Sequence, residues 1–161
     1  MSWARLLGGA LLVAAGALFG CGRACALKRR LALLRELDAG LGLLAEELTA
    51  LRAPLPQIFA RERDRPFFSL LYAGFGMEPT ERLWRRAAEA LDIGEADRAA
   101  IASLADVAGR YEAERQAAEI GRVRRRLETS AAALETELQG RARTFVGLGA
   151  SFGAILAVLL F

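Results

Sequence analysis

Apolar and charged positions are sorted along this chain, with uncharged runs at both ends and a mixed middle. Leu6 to Gly22, LLGGALLVAAGALFGCG, and Phe145 to Phe161, FVGLGASFGAILAVLLF, contain no Asp, Glu, Lys or Arg. Each run has 17 residues and rises about 25 Å as a helix. Trp3 and Ala4 before the first run, and Ala24 to Leu27 after it, lengthen it enough to span a bilayer. Arg5 and Arg23 can snorkel to the interfaces, and Trp3 suits an interfacial anchor. A helix buried in a small soluble core normally keeps a polar face, and neither run has one. The pattern predicts one transmembrane helix over 3–25 and another over 144–161.

Between them, over 26–143, apolar residues recur at threes and fours and β-branched residues are scarce, which predicts helices and no strands. Leu27, Leu31, Leu34, Leu37, Leu41, Leu44, Leu48 and Leu51 form one stripe of a first helix reaching about Arg52, with Glu36, Glu46 and Glu47 off it. Gly40 and Gly42 interrupt good helix formers and mark a close packing point. Pro54 stops this helix, since the residue before a proline resists helical geometry. Pro56 fits the first turn of a second helix to about Arg61, and Pro66 that of a third, Phe67 to about Phe75. Phe67, Phe68, Leu70, Leu71, Tyr72 and Phe75 are expected in the core. A fourth helix, opened by Pro79 and ending near Asp92, turns Leu83, Trp84, Ala87, Ala88 and Leu91 inward. A fifth, about Glu95 to Ala108, brings Ile101, Leu104 and Val107. A sixth starts near Tyr111 and runs unbroken into the second apolar run. The expected fold is all-α: N- and C-terminal transmembrane helices flanking a cytoplasmic bundle of about six helices.

Charge orients this arrangement. The net charge is +3, from 22 basic and 19 acidic residues. All 19 acidic residues fall between Glu36 and Glu137. Arg23, Lys28, Arg29, Arg30 and Arg35 follow the first run, and Arg141 and Arg143 precede the second. Basic clusters mark the cytoplasmic side, so the middle lies in the cytoplasm and both termini face outward. A rival reading is a lipoprotein. Leu18-Phe19-Gly20-Cys21 resembles a lipobox, with a signal peptide ending at Gly20 and a translocated helical binding domain behind it. The basic cluster directly after Cys21 resists such translocation, and the uncleaved span is the stronger reading.

Little in the chain supports catalysis. It has no His, so imidazole metal ligation and acid–base chemistry are excluded. Lys28 is the sole lysine, so no Walker loop exists. Cys21 and Cys25 share a helix face but lack further ligands for a metal site. No cofactor is expected, and the chain reads as a non-enzyme. Two features could carry contacts. Arg122, Arg124, Arg125 and Arg126 form the densest charge cluster; they read either as a solvated face offset by Glu119 and Glu128 or as a docking patch for an acidic partner. In a continuous helix, Arg125 lies about 30 Å from the membrane end of the second span, beyond headgroup reach. Nucleic acid is not expected, since the middle is nearly balanced in charge and no aromatics interleave the arginines. In the apolar runs, Gly16 with Gly20 and Gly149 with Gly153 sit one turn apart, a spacing that lets helices pack closely in lipid. They could join the spans of one chain or those of several, giving a homo-oligomer.

The layout resembles the stage III sporulation protein AB family of spore-forming bacteria over essentially the whole chain. The resemblance rests on Leu43-Leu44-Ala45-Glu46-Glu47-Leu48 leading into Ala53-Pro54-Leu55-Pro56-Gln57-Ile58, then Phe67-Phe68, Trp84, Tyr111 to Ile120 with Gln116, and Arg143-Thr144-Phe145-Val146-Gly147-Leu148-Gly149 to the end. Gly109-Arg110-Tyr111 departs from the family's usual Leu-Gly pair and Asp. The resemblance implies a membrane subunit of a secretion-like channel complex joining mother cell and forespore. Its cytoplasmic domain is similar to the F-type platform protein of type II secretion and type IV pilus systems. Membership among those F-type proteins themselves is disfavoured by the single domain. The implied partners are a secretion-type ATPase and other membrane subunits of the channel. Arg122, Arg124, Arg125, Arg126 and the Pro54–Pro56 turn are the contact candidates.

Overall fold

A computed structural model describes residues 25–51, 53–109 and 112–160; their side chains are described as far as Gly140, Leu51 excepted. Among the described residues the chain is helical, with no strand beyond an isolated bridge between Phe75 and Glu78. Helix α1 covers 25–46 and closes in a π turn, Glu47–Leu51. It is followed by α2 (Leu55–Arg61), α3 (Pro66–Gly74), α4 (Thr80–Glu89) and α5 (Glu95–Ser103). A 3-10 turn, Leu104–Asp106, leads towards α6 (Ala113–Leu160). Two compact units divide the chain, one of 32–133 and one of 1–31 with 134–161.

The 32–133 unit is the helical bundle. The leucine stripe of α1 is its spine: Leu34, Leu37, Leu41, Leu44 and Leu48 are all buried. Gly40 lies under α3, where an added Cβ would come within 2.5 Å of Phe68 Cε2. The sequence expectation of a close packing point is thereby met, with Phe68 as the neighbour. An aromatic cluster joins three short helices: Phe59 of α2, Phe67 and Phe68 of α3, and Trp84 of α4. Phe67 and Trp84 meet edge to face with centroids 5.4 Å apart. The indole Nε1 of Trp84 donates to the Ile101 carbonyl of α5 at 2.9 Å, which satisfies the only polar atom of a side chain 1% exposed. Helix α6 closes the core with Ile120, Val123 and Leu127.

Several boundaries and core assignments differ from the sequence expectation, each for a local reason. Helix α3 buries Phe67, Phe68, Leu71 and Gly74, whereas Leu70, Tyr72 and Phe75 are 41%, 46% and 36% exposed. A nine-residue helix has one inward face, and Leu70 and Tyr72 lie on its two flanks. Helix α4 ends at Glu89 rather than near Asp92. Leu91 and Ile93 are nonetheless buried, and Arg98 of α5 donates to both of their carbonyls. Helix α5 gives way at Leu104 to the 3-10 turn rather than continuing to Ala108, and Val107 is only half-buried. Gly109 then takes φ +74°, a conformation that costs a glycine little. Its N–H donates to Oε1 of the buried Gln116, which anchors the start of α6, two residues later than expected.

Among the described residues no helix is long and apolar enough to cross a membrane. Apart from Cys25, the two stretches expected to cross, 3–25 and 144–161, fall outside the residues whose side chains are described.

Candidate partner-docking surface

The four arginines Arg122, Arg124, Arg125 and Arg126 all lie on α6, but the fold distributes them among different tasks. Successive residues step about 100° around a helix, so the four cannot share one face. Arg124 points to α1. Its Nε donates to Asp38 Oδ1 at 2.8 Å and its Nη2 to Oδ2 at 3.3 Å, a two-pronged pair between residues 86 apart in sequence. The same Nε also reaches the Asp38 carbonyl. Gly42 makes this possible, since a Cβ there would stand 3.0 Å from the guanidinium carbon. The Asp38 hydrogen bond, only partly opposed by burial, holds the Arg124 guanidinium above its already high pKa range. The forked geometry of the guanidinium suits a carboxylate held in this way.

Arg126 points towards α5, with its Nε 3.5 Å from Asp97 Oδ1. Asp97 is 6% exposed and also accepts from the Ser130 hydroxyl at 2.7 Å. Arg122 pairs with Glu119 on its own helix at 3.2 Å. Arg125 is exposed and lies along α6, its Nη1 3.8 Å from where a Cβ on Gly121 would be. Two of the four arginines therefore tie α6 to α1 and α5. Arg122, which pairs within α6, and Arg125 are exposed, and Arg126 is exposed as well while it reaches Asp97. Asp38 and Asp97, which hold Arg124 and Arg126, carry no sequence signal linking them to residues so distant. Gly42 did carry one, as a glycine in a leucine stripe.

Pro54 and Pro56 are exposed at the corner between α1 and α2. The backbone of Pro54 is extended, and Pro56 occupies the first turn of α2 as its missing N–H allows. Arg124 meets Asp38 and Gly42 in α1, whereas Pro54 and Pro56 come after the π turn that closes it. Gly16 and Gly20 lie outside the described residues, and Gly149 and Gly153 fall where only the backbone of α6 is described. Cys25 is a free, exposed thiol. Among the described residues no group of His, Cys, Asp or Glu is arranged to hold a metal ion.

Compared with known families, residues 5–161 match the family described as stage III sporulation protein AB. No curated protein and no solved structure matches the chain.

Proposed function

The chain belongs to the stage III sporulation protein AB family, and from that premise we propose that it is a non-enzymatic membrane platform subunit of a secretion-like channel complex between mother cell and forespore. Its bundle lies in the mother-cell cytoplasm and docks a secretion-type ATPase. The apolar stretches 3–25 and 144–161 span the inner membrane, with both termini outward, and pack through their glycines against each other or against further subunits of the channel. The observation that best supports this reading is α6: one helix, Ala113–Leu160, supplies Ile120, Val123 and Leu127 to the bundle core and carries the apolar sequence that follows Arg143.

For the docking face, Arg122 and Arg125 are the informative pair, because reversing Arg124 or Arg126 would also break contacts within the fold. In co-purification of the full-length protein with a secretion-type ATPase from the same organism, Arg122→Glu with Arg125→Glu is expected to weaken binding by at least about tenfold, as charge reversal at an electrostatically matched interface does. Unchanged binding by a folded variant removes these arginines from the interface. The span itself is tested by mass spectrometry of the mature protein: an N-terminus at Met1 or Ser2 supports it, whereas cleavage after Gly20 with lipid on Cys21 supports the lipoprotein instead.

A further inference from the structure

Charge is divided unequally between the two compact units. The unit of 1–31 and 134–161 holds seven basic and two acidic residues, a net +5, whereas the 32–133 unit holds fifteen and seventeen, a net −2. The basic excess of the whole chain thus resides with its two apolar ends. Lys28, Arg29 and Arg30 are consecutive in α1, and steps of about 100° spread them over more than half of the helix circumference. Lys28 and Arg29 are exposed. Arg30 is half-buried, and its Nε is enclosed without an acceptor among the described residues. The first carboxylate of the chain comes later, at Glu36. A span over 3–25 ends three residues before Lys28, about 4–5 Å at the rise of a helix. On that reading the basic residues follow directly on the hydrocarbon edge, where headgroup phosphates lie.

We propose that Lys28, Arg29 and Arg30 bind the phosphates of anionic lipid headgroups, so that this protein selects an anionic membrane surface. The inference rests on the apolar ends spanning the bilayer. A ring around a helix meets several lipids at once, which a single soluble anion does not reproduce. Basic residues beside a span gain this energy from the negative surface potential and lose it with salt.

The test uses the full-length protein reconstituted into bilayers of phosphatidylcholine with phosphatidylglycerol, followed by mass spectrometry of the lipids retained on mild detergent extraction. Wild type is expected to enrich phosphatidylglycerol by about fivefold or more over the bulk ratio, the factor that one Lys or Arg near an anionic surface supplies. Lys28→Gln with Arg29→Gln and Arg30→Gln should return the ratio towards bulk, as should high salt. The exposed pair Lys28→Gln with Arg29→Gln, which leaves the half-buried Arg30 in place, should lower it part of the way. Retention at the bulk ratio by wild type, or undiminished enrichment in both variants, overturns the proposal. So does selective release of the lipid by inorganic phosphate beyond what chloride of equal ionic strength achieves, which would mean a site for free phosphate. Alkaline extraction from pure phosphatidylcholine bilayers separates the two readings. Protein that stays with the lipid but shows no enrichment sinks the lipid preference alone, whereas protein released by alkali sinks the membrane-spanning reading on which it stands.

Discussion

A missing methyl group sets how closely α1 and α3 approach. At Gly40 any Cβ would collide with the ring of Phe68, itself 1% exposed and unable to swing into solvent. Gly40→Ala should therefore destabilise the bundle by about 1–3 kcal/mol through overpacking, although alanine is the better helix former. Gly140 has nothing within 4 Å of the same position among the described residues, so Gly140→Ala should instead stabilise α6 by up to about 1 kcal/mol. Urea denaturation of both variants gives opposite signs if the packing is as described. The glycine at 40 was visible in the sequence as a break in a run of leucines, but its neighbour was not, because nothing local in a sequence tells Phe68 from Tyr72. Trp84 was legible as core, and the Ile101 carbonyl that receives its N–H was not. Leu70, Tyr72 and Phe75 were misread for the converse reason: hydrophobicity says that a side chain would prefer burial, not that a three-turn helix has room to bury it.

Pairs of elements are held by contacts that short-range patterns do not reveal. Asp38 and Arg124 are 23% and 35% exposed, so water screens part of their attraction. A double-mutant cycle of Asp38→Ala and Arg124→Ala should return a coupling of about 0.5–1 kcal/mol, shrinking as salt is added. A coupling of zero would mean that the pair merely sits together. Because Asp38 raises the Arg124 pKa, the arginine's share of this stability is complete below the ordinary arginine range and is lost only as pH rises through the still higher value in the folded state. It contributes no pH dependence near neutrality. At this scale the prolines were the most readable signals: Pro54, Pro66 and Pro79 each stand at or beside a helix start. The π turn at Glu47–Leu51 and the 3-10 turn at Leu104–Asp106 were not readable, since both use residues that an α-helix accepts equally well.

Across the whole molecule, the division between a charged bundle and uncharged ends was plain from composition alone, while the arrangement within the bundle depended on α6. Its Ile120, Val123 and Leu127 complete the core begun by Leu41, Leu44 and Leu48. A chain ending at Glu112 lacks this cover, and is expected to be rapidly degraded when expressed at a level at which the full-length protein accumulates. Immunoblotting of the membrane fraction after protease treatment would check it, and a fragment as protease-resistant as the full-length bundle would show that α1 to α5 suffice. The reversal of Arg122 and Arg125 belongs at this scale too, since it probes a surface without disturbing the core beneath. The bond between Asp38 and Arg124 also has a meaning in time. A ribosome makes α1 first and α6 last, so the leucine spine must wait through more than half of translation before its partner exists. During that interval α3 can already cover α1 at Gly40, but the face that Ile120, Val123 and Leu127 later meet stays open on the nascent chain.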